Sequence, residues 1–412
     1  MRIAYLHGGS IPSFFANGVH VMRMCDAFAA AGHDVTLYSM PSACSTCSTC
    51  STCSTCSTCS TCSTEDPYTY YGVRHHFPIR LVPAPDFTPD GYRHRAADIR
   101  ALVTDGPPPD LVYGRDPYAL TALADLAPFV YEVHQLRQDL SPAGTEEELL
   151  GMPRLARVVV ITHALAHDLA EKYERLGTLP VLVAPDCADP PDPADPTNAP
   201  QLPGRPDVPR VGYVGHLYDG RGIGLVLDLA ERFPGVDFHL VGGTDEDRTR
   251  WEKACRSPQV YFHGHLPPSE LPAHYPLFDV VLAPYESKVY TWGRLDETGR
   301  WASPMKVFEY MSHGLPMIAS DLPVLREVLQ DRVNCLLRPP GDPAAWAEAL
   351  GELLADEALR RRLGDEARRQ VLDRYTWRRR AEIVLAGLDR TGTVGRTSAF
   401  GRTGTEGSER PA

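Results

Sequence analysis

Lysine is nearly absent from this chain: Lys172, Lys253, Lys288 and Lys306 stand against 37 arginines. The bias reflects coding preference, yet it makes each lysine a residue to account for. Basic runs are absent too, and the net charge is −12, which argues against a nucleic-acid partner. No run of about 18 apolar residues occurs, so the sequence offers no transmembrane helix. The opening "RIAYLH" is strand-like and lacks the basic, apolar and small-residue order of a signal peptide. A cytoplasmic protein is expected. Outside one repeat the cysteines are Cys25, Cys187, Cys255 and Cys335. None has a second Cys or His at zinc spacing, so they read as buried free thiols.

The exception is the segment 43–66, where Cys44 to Cys62 recur at every third position with only Ser and Thr between them. In an extended chain neighbouring Cys would sit ~10 Å apart, beyond disulfide reach. Thiolates at this spacing can share Zn²⁺ or Cu⁺, but nothing here fixes the turn a structural metal site needs. Ser and Thr supply no core, so the tract reads as a tolerated, disordered low-complexity insertion.

Around it, short apolar runs alternate with helical patterns. "RIAYLH" (2–7), "DVTLYSM" (34–40), "IRLVPA", "DLVYGR", "FVYEVH", "VVVITH" and "VLVAP" read as strands, and 18–32 as a helix closed by Gly32. Such alternation implies parallel βαβ units. Residues 185–210 hold nine prolines, which block helix and sheet pairing. A second series follows: "RVGYVGHL", "VDFHLVGG", "VYFHGHL", "DVVLAPY", "PMIAS" and "NCLLRP". The expected organisation is an N-terminal Rossmann-like domain (1–190), a linker (191–208), a second Rossmann-like domain (209–374), a C-terminal helix (375–390) and a disordered tail (391–412). Two doubly wound α/β domains facing a cleft suit an enzyme with one substrate per domain, because ligands bind outside the carboxyl ends of parallel strands.

Three stretches of the second domain look like a phosphate and sugar site. In "VGHLYDGRGIG" (214–224) a strand ends in a glycine turn before a helix near Gly222. His216 could donate to a phosphate oxygen there, and Arg221 brings a permanent charge. In "WASPMKVFEYMSHG" (301–314) Ser303 reads as N-cap, Pro304 as the first helical residue and Gly314 as the stop. Lys306 adds charge beside that first turn, and Glu309 shares its face. A carboxylate there suits ribose hydroxyls; the bland alternative is a Lys306–Glu309 surface pair. In "FHGHLPPSEL" (262–271) Gly264 and His265 end a strand where backbone groups could read a base. Two further features are set aside. Asp245, Glu246 and Asp247 read as an acidic helix start favoured by the dipole. His75 and His76 read as residues on opposite faces of a strand, a poor chelate.

These stretches together resemble the retaining glycosyltransferases of the GT-B fold, in particular family 4, over about residues 1–390. The resemblance implies that His216 and Arg221 hold the donor diphosphate, that Ser303, Met305 and Lys306 contact the donor, and that Glu309 holds its ribose. The family's second Glu, eight residues before Glu309, is replaced here by Trp301. The N-terminal "HGGSIPSFFANGVHVMRM" is similar to the family's first loop and helix, with Gly9 and Gly18 allowing close backbone approach. His134, ending the strand "YEVH", falls where the family has a His that contacts the transferred sugar. Arg115 ends another strand and could bind the acceptor. His265 would face the donor base. The final helix "YTWRRRAEIVLAGL" (375–388) is similar to one that crosses back to the first domain.

The resemblance therefore implies transfer of a sugar from a UDP- or GDP-sugar to a glycan, lipid or small-molecule acceptor, with retention, with no cofactor and with no metal. His134, Arg221 and Lys306 are the expected catalytic residues. Peripheral membrane contact is compatible with this reading, and no nucleic-acid partner is expected. The alternatives are an epimerase or hydrolase of the same fold, or a non-catalytic nucleotide-sugar-binding protein.

Overall fold

The structure is a computed structural model that describes residues 1–42, 66–136, 143–192, 200–290 and 297–388. The disorder expected for the Ser-Thr-Cys tract and for the tail falls outside the described residues, Asp66 excepted.

In the first half, strands β1 (Arg2–Ile11), β2 (Asp34–Pro41), β3 (Ile79–Leu81), β4 (Leu111–Gly114), β5 (Phe129–Val133), β6 (Leu155–Val160) and β7 (Val181–Val183) alternate with helices. The helices are α1 (Ala16–Ala30), α2 (Pro67–Tyr71), α3 (Pro89–Thr104), α4 (Pro117–Leu123), α5 (Ala143–Leu150) and α6 (His163–Lys172). The second half has β8 (Arg210–Val214), β9 (Asp237–Val241), β10 (Val260–Gly264), β11 (Val280–Ala283), β12 (Met317–Ser320) and β13 (Leu336–Arg338). Its helices are α7 (Ile223–Arg232), α8 (Asp245–Ala254), α9 (Met305–Ser312), α10 (Pro343–Ala355) and α11 (Glu357–Arg374), and α12 (Trp377–Leu385) follows. The strand orders are 3-2-1-4-5-6-7 and 10-9-8-11-12-13, and every pairing in both sheets is parallel.

The continuous apolar runs form strands because both faces of each sheet are covered. In the first sheet Leu6, Val112, Phe129, Val158 and Val160 pack on one face. Tyr5, Leu37, Tyr113, Val130 and Val159 pack on the other, against Val21, Met22 and Cys25 of α1 and Trp377 and Val384 of α12. The second sheet divides the same way: Val214, Val241, Val281 and Met317 face one core, and Val211, Phe238, Leu240 and Ile318 the other. Helix starts follow side-chain caps. Asp116, Thr162, Thr244, Asp342, Asp356 and Thr376 each accept a first-turn amide. Asp245, Glu246 and Asp247 fill the first turn of α8, as the dipole favours.

Strand order reverses beside β1 in the first sheet and beside β8 in the second, so crevices open at the carboxyl ends of β1 and β4, and of β8 and β11. Of the residues the sequence singled out, Gly9, Arg115 and His216 lie at or just past these ends.

Three local readings are corrected. Helix α9 begins at Met305 with Pro304 as N-cap and no side-chain cap. The Ser303 hydroxyl instead accepts the Asp186 amide at 2.9 Å. No strand forms over residues 72–77: His75 bonds Asp26 at 2.9 Å and the His76 ring stacks on Tyr68. Trp301 leaves the second domain and packs in the first domain's core, only 6 % exposed. Its indole donates to Asp168 of α6 at 2.6 Å, and Arg300 pairs with the other oxygen of that carboxylate at 2.6 Å. Glu327 also crosses over, accepting the His163 and Ala164 amides at the start of α6. The side chain at this position thus joins the two domains.

Trp301→Ala should cost about 3–5 kcal/mol of stability, measured by urea unfolding. A loss below about 1 kcal/mol would show that Trp301 is not part of the core.

Candidate active site

Beyond β8 the chain turns through Gly215 (φ +141°) and reaches Gly222 (φ +72°), which begins α7. Both positions need glycine. At Gly215 an added Cβ would also stand 2.9 Å from the Lys306 ammonium. The turn between them presents His216, Tyr218 and Arg221. The Arg221 guanidinium lies over the rings of Tyr218 (4.7 Å) and Tyr285 (5.4 Å) and donates to the Tyr218 hydroxyl at 2.5 Å.

Lys306, on the first turn of α9, brings its ammonium to 3.9 Å from the Tyr213 ring centre and 5.0 Å from that of Tyr285. That ammonium is buried and has no hydrogen-bond partner among the described residues; the same holds for Arg221 Nε. Burial, then the neighbouring Arg221, holds the Lys306 pKa well below the usual lysine value. Two cations therefore share a tyrosine cage. Cation–π attraction offsets part of their desolvation, but a buried charge without a counter-charge is costly. Among the described residues no carboxylate is hydrogen-bonded to either cation.

Glu309, one turn further, is no exception. The surface-pair reading fails, because Lys306 makes no hydrogen bond and Glu309 accepts the Tyr275 hydroxyl at 2.6 Å. Burial pushes the Glu309 carboxyl up. His216 is near but neutral. Burial, followed by Arg221, His265 and Lys306, holds it down to about 3, so it can donate one hydrogen bond but brings no charge at neutral pH.

The first domain closes over this corner. Phe14, in the loop before α1, sets its ring edge-on to His216 at 6.0 Å and to His265 at 6.4 Å. The Tyr70 hydroxyl of α2 meets His265 Nε2 at 2.9 Å. Gly9 and Gly18 lie where a side chain would collide: a Cβ on Gly9 would meet His7 Nε2 at 2.7 Å, and one on Gly18 the Tyr71 hydroxyl at 2.5 Å. His134 follows β5, and its Nε2 bonds the buried Glu132 at 2.5 Å. Burial and then Arg115 hold His134 down to about 3. Arg115, past the end of β4, is thus close enough to act on His134, and it lowers His7 as well. Met305 packs its side chain against the first domain's core.

His216, Arg221 and Lys306 converge around the tyrosine cage, and His265 reaches it through the Phe14 contact. Gly9, Arg115 and His134 lie at or past the first domain's strand ends and Gly18 on α1; Ser303 is engaged by the chain that leaves β7 at Ala184 toward the second domain, the crossover; and Glu309 sits one turn beyond Lys306. The tyrosines were missed. Tyr213 sits in an ordinary apolar strand and Tyr285 after Pro284, with no local signal. The buried set of His20, Glu132, Asp186 and Arg380 was missed too.

The comparisons with known proteins fit this geometry. The Glycosyltransferase Family 4 model matches residues 18–182 and the Glycosyl transferases group 1 model matches residues 208–356. The chain belongs to the family 4 glycosyltransferases. It is 31 % identical over 179 residues to the phosphatidyl-myo-inositol mannosyltransferase of Mycobacterium leprae, a match covering 42 % of this chain and 44 % of that protein. The chain thus spans less than half the length of this curated relative. In fold it is similar to sucrose-phosphate synthase from Thermosynechococcus elongatus (TM-score 0.67, 19 % identity, 93 % of this chain and 97 % of that one). It is also similar to Anabaena Alr3699/HepE solved with UDP (TM-score 0.64, 15 % identity, 93 % and 98 %). The fold of this family 4 chain is GT-B.

Lys306→Met should raise the melting temperature of the ligand-free protein, equivalent to about 1–3 kcal/mol, by removing a buried charge without a partner. A fall in melting temperature would show that the ammonium holds the tyrosine cage together.

Proposed function

We propose that the chain transfers a sugar from a UDP- or GDP-sugar to a glycan, lipid or small-molecule acceptor, with retention at the anomeric carbon and without a metal. The observation that carries this reading is the pair of buried cations, Arg221 and Lys306, at the strand-order reversal of the second sheet, with the Lys306 ammonium lacking a hydrogen-bond partner among the described residues. A donor diphosphate would supply a counter-charge. Its leaving phosphate gains negative charge as the glycosidic bond breaks, and preorganised cations stabilise that charge without reorganising. His216 would donate a hydrogen bond, the opening amides of α9 at Met305 and Lys306 would add their dipole, and Ser303 would hold the start of that helix against the crossover.

Glu309 would accept the ribose hydroxyls, and the backbone around His265 would face the base. His134 would meet the transferred sugar and Arg115 the acceptor, with Gly9 and Gly18 allowing the first loop to approach the phosphates. In a retaining scheme the acceptor hydroxyl attacks from the leaving-group face and passes its proton to the departing phosphate. The low basicity of His134 and His216 agrees with the absence of a protein base in that scheme. The Phe14 and Tyr70 contacts across the cleft would exclude water when the donor is bound. Among the described residues no helix is long and apolar enough to cross a membrane; we place the enzyme in the cytoplasm, with any membrane contact peripheral.

Incubation with UDP- and GDP-sugars should release nucleoside diphosphate, faster once an acceptor is present. Failure of both to bind would overturn the proposal. Glu309→Gln should weaken nucleoside-diphosphate binding by roughly 10- to 100-fold with the ligand-free melting temperature nearly unchanged. Equal affinity in calorimetry would remove Glu309 from the ribose.

Above the lowered Lys306 pKa, where the free side chain has lost its proton, binding should also take one up, because a diphosphate beside Lys306 raises that pKa. Affinity therefore falls as pH rises from the lowered pKa of the free Lys306 ammonium toward its raised value in the complex. The slope should vanish in Lys306→Ala; a slope unchanged by that substitution would exclude Lys306 as the titrating group.

A further inference from the structure

Glu132 is 1 % exposed at the end of β5, two residues before His134, and it gathers an unusual number of donors. Its Oε1 lies 2.5 Å from His134 Nε2, 2.7 Å from His20 Nε2 and 3.0 Å from an Arg380 nitrogen. Its Oε2 takes the Tyr113 hydroxyl and a second Arg380 nitrogen. Burial alone would raise the Glu132 pKa; Arg380, then His20 and the His134 bond, bring it well below the usual range. The group is a carboxylate, and a carboxylate only accepts. The His134 contact must therefore carry its hydrogen on Nε2. Burial and Arg115 keep the His134 ring neutral, so it has one proton to place, and Nδ1 is left with a lone pair.

Arg380 ties this pair to the rest of the chain. It is 1 % exposed on α12 and also donates to the Ala184 and Pro185 carbonyls of the crossover at 3.0 and 2.9 Å. The next crossover residue, Asp186, bonds His20 Nδ1 at 2.8 Å, and its amide holds Ser303 before α9. His20, His134 and Asp186 have the composition of a metal site. Two of those ring nitrogens already face Glu132, however, and the Arg380 guanidinium fills the place of a counter-cation.

We propose that Arg380 is a positioning residue for His134: it fixes the Glu132 carboxylate, and Glu132 holds the imidazole with its proton on Nε2 and its lone pair on Nδ1. The inference rests on the reading of His134 as the residue that meets the transferred sugar. It deepens that reading by assigning the polarity of the contact. The sugar hydroxyl donates and His134 accepts, so the donor sugar carries a free hydroxyl at that position. The C-terminal helix must be docked for this polarity to be set.

The direct test is long-range ¹⁵N NMR of histidine-labelled protein, with His134 assigned by loss of its signal in His134→Ala. The expected result is the Nε2–H tautomer from about pH 5 to about pH 8. The Nδ1–H tautomer in the unmodified chain would overturn the proposal. Arg380→Met alone would strand a buried carboxylate, so it is combined with Glu132→Gln, whose amide can donate or accept. That pair should populate both tautomers, while Arg380→Lys, if the pair does not fold, should keep Nε2–H and shift the ring's resonances. Signals unchanged in whichever variant folds would count against Arg380. Kinetically, with UDP-sugar hydrolysis as the readout, the pair should lower kcat about 10- to 100-fold with KM within about 3-fold. In a His134→Ala background it should cost less than about 3-fold more. Fully additive losses would show that Arg380 acts on the fold and not through His134. The tautomer measurement needs no ligand, so its failure is told apart from a failure of the donor-site reading, which appears as absent UDP and GDP binding.

Discussion

The site depends on two buried cations that no carboxylate bonds among the described residues. Lys306 and Arg221 lie within one tyrosine cage, at the point where the second sheet reverses its strand order. The Lys306 ammonium gains little stability there: it is desolvated, without a hydrogen-bond partner among the described residues, and repelled by Arg221. Several local features are arranged around that constraint. Gly215 leaves room for the ammonium, Gly222 turns the chain so that Arg221 points inward, and Tyr213, Tyr218 and Tyr285 present ring faces instead of carboxylates. The neutrality of His216 follows from the same field.

A second buried network solves a different problem, the relation between the two domains. Its charges are paired. Glu132 meets Arg380 and His20, and Asp186 meets His20 and, through its amide, Ser303. One carboxylate thereby links β5, α1 and α12, and the crossover passes the link to α9, which carries Lys306 and Glu309. Trp301 and Glu327 add contacts to α6. The first domain's network is bonded through Arg380, Glu132 and Asp186 and holds the frame, in contrast to the Lys306 ammonium, which has no hydrogen bond among the described residues.

The frame was legible in the sequence because strands buried on both faces must be written as unbroken apolar runs, and glycine and proline mark the turns between them. Lys306 and Glu309 were legible because a Ser-Pro start and a Gly stop bracket a short helix, which puts residues three apart on one face. Ser303 was misread as a cap because its hydroxyl is taken by an amide 117 residues away. Arg380 and Glu132 are 248 residues apart, and nothing local to either announces the other. Trp301 has no local signal for its role, because its partner Asp168 lies 133 residues away and the core it joins belongs to the first domain.

The central claim is that the cage is an anion site left open for a diphosphate. A crystal structure of the chain with UDP tests it most directly. The account predicts diphosphate oxygens within about 3 Å of Lys306 Nζ and the Arg221 guanidinium, with the ribose at Glu309. A diphosphate bound elsewhere in the cleft, with the Lys306 ammonium still enclosed by Tyr213 and Tyr285, would contradict it.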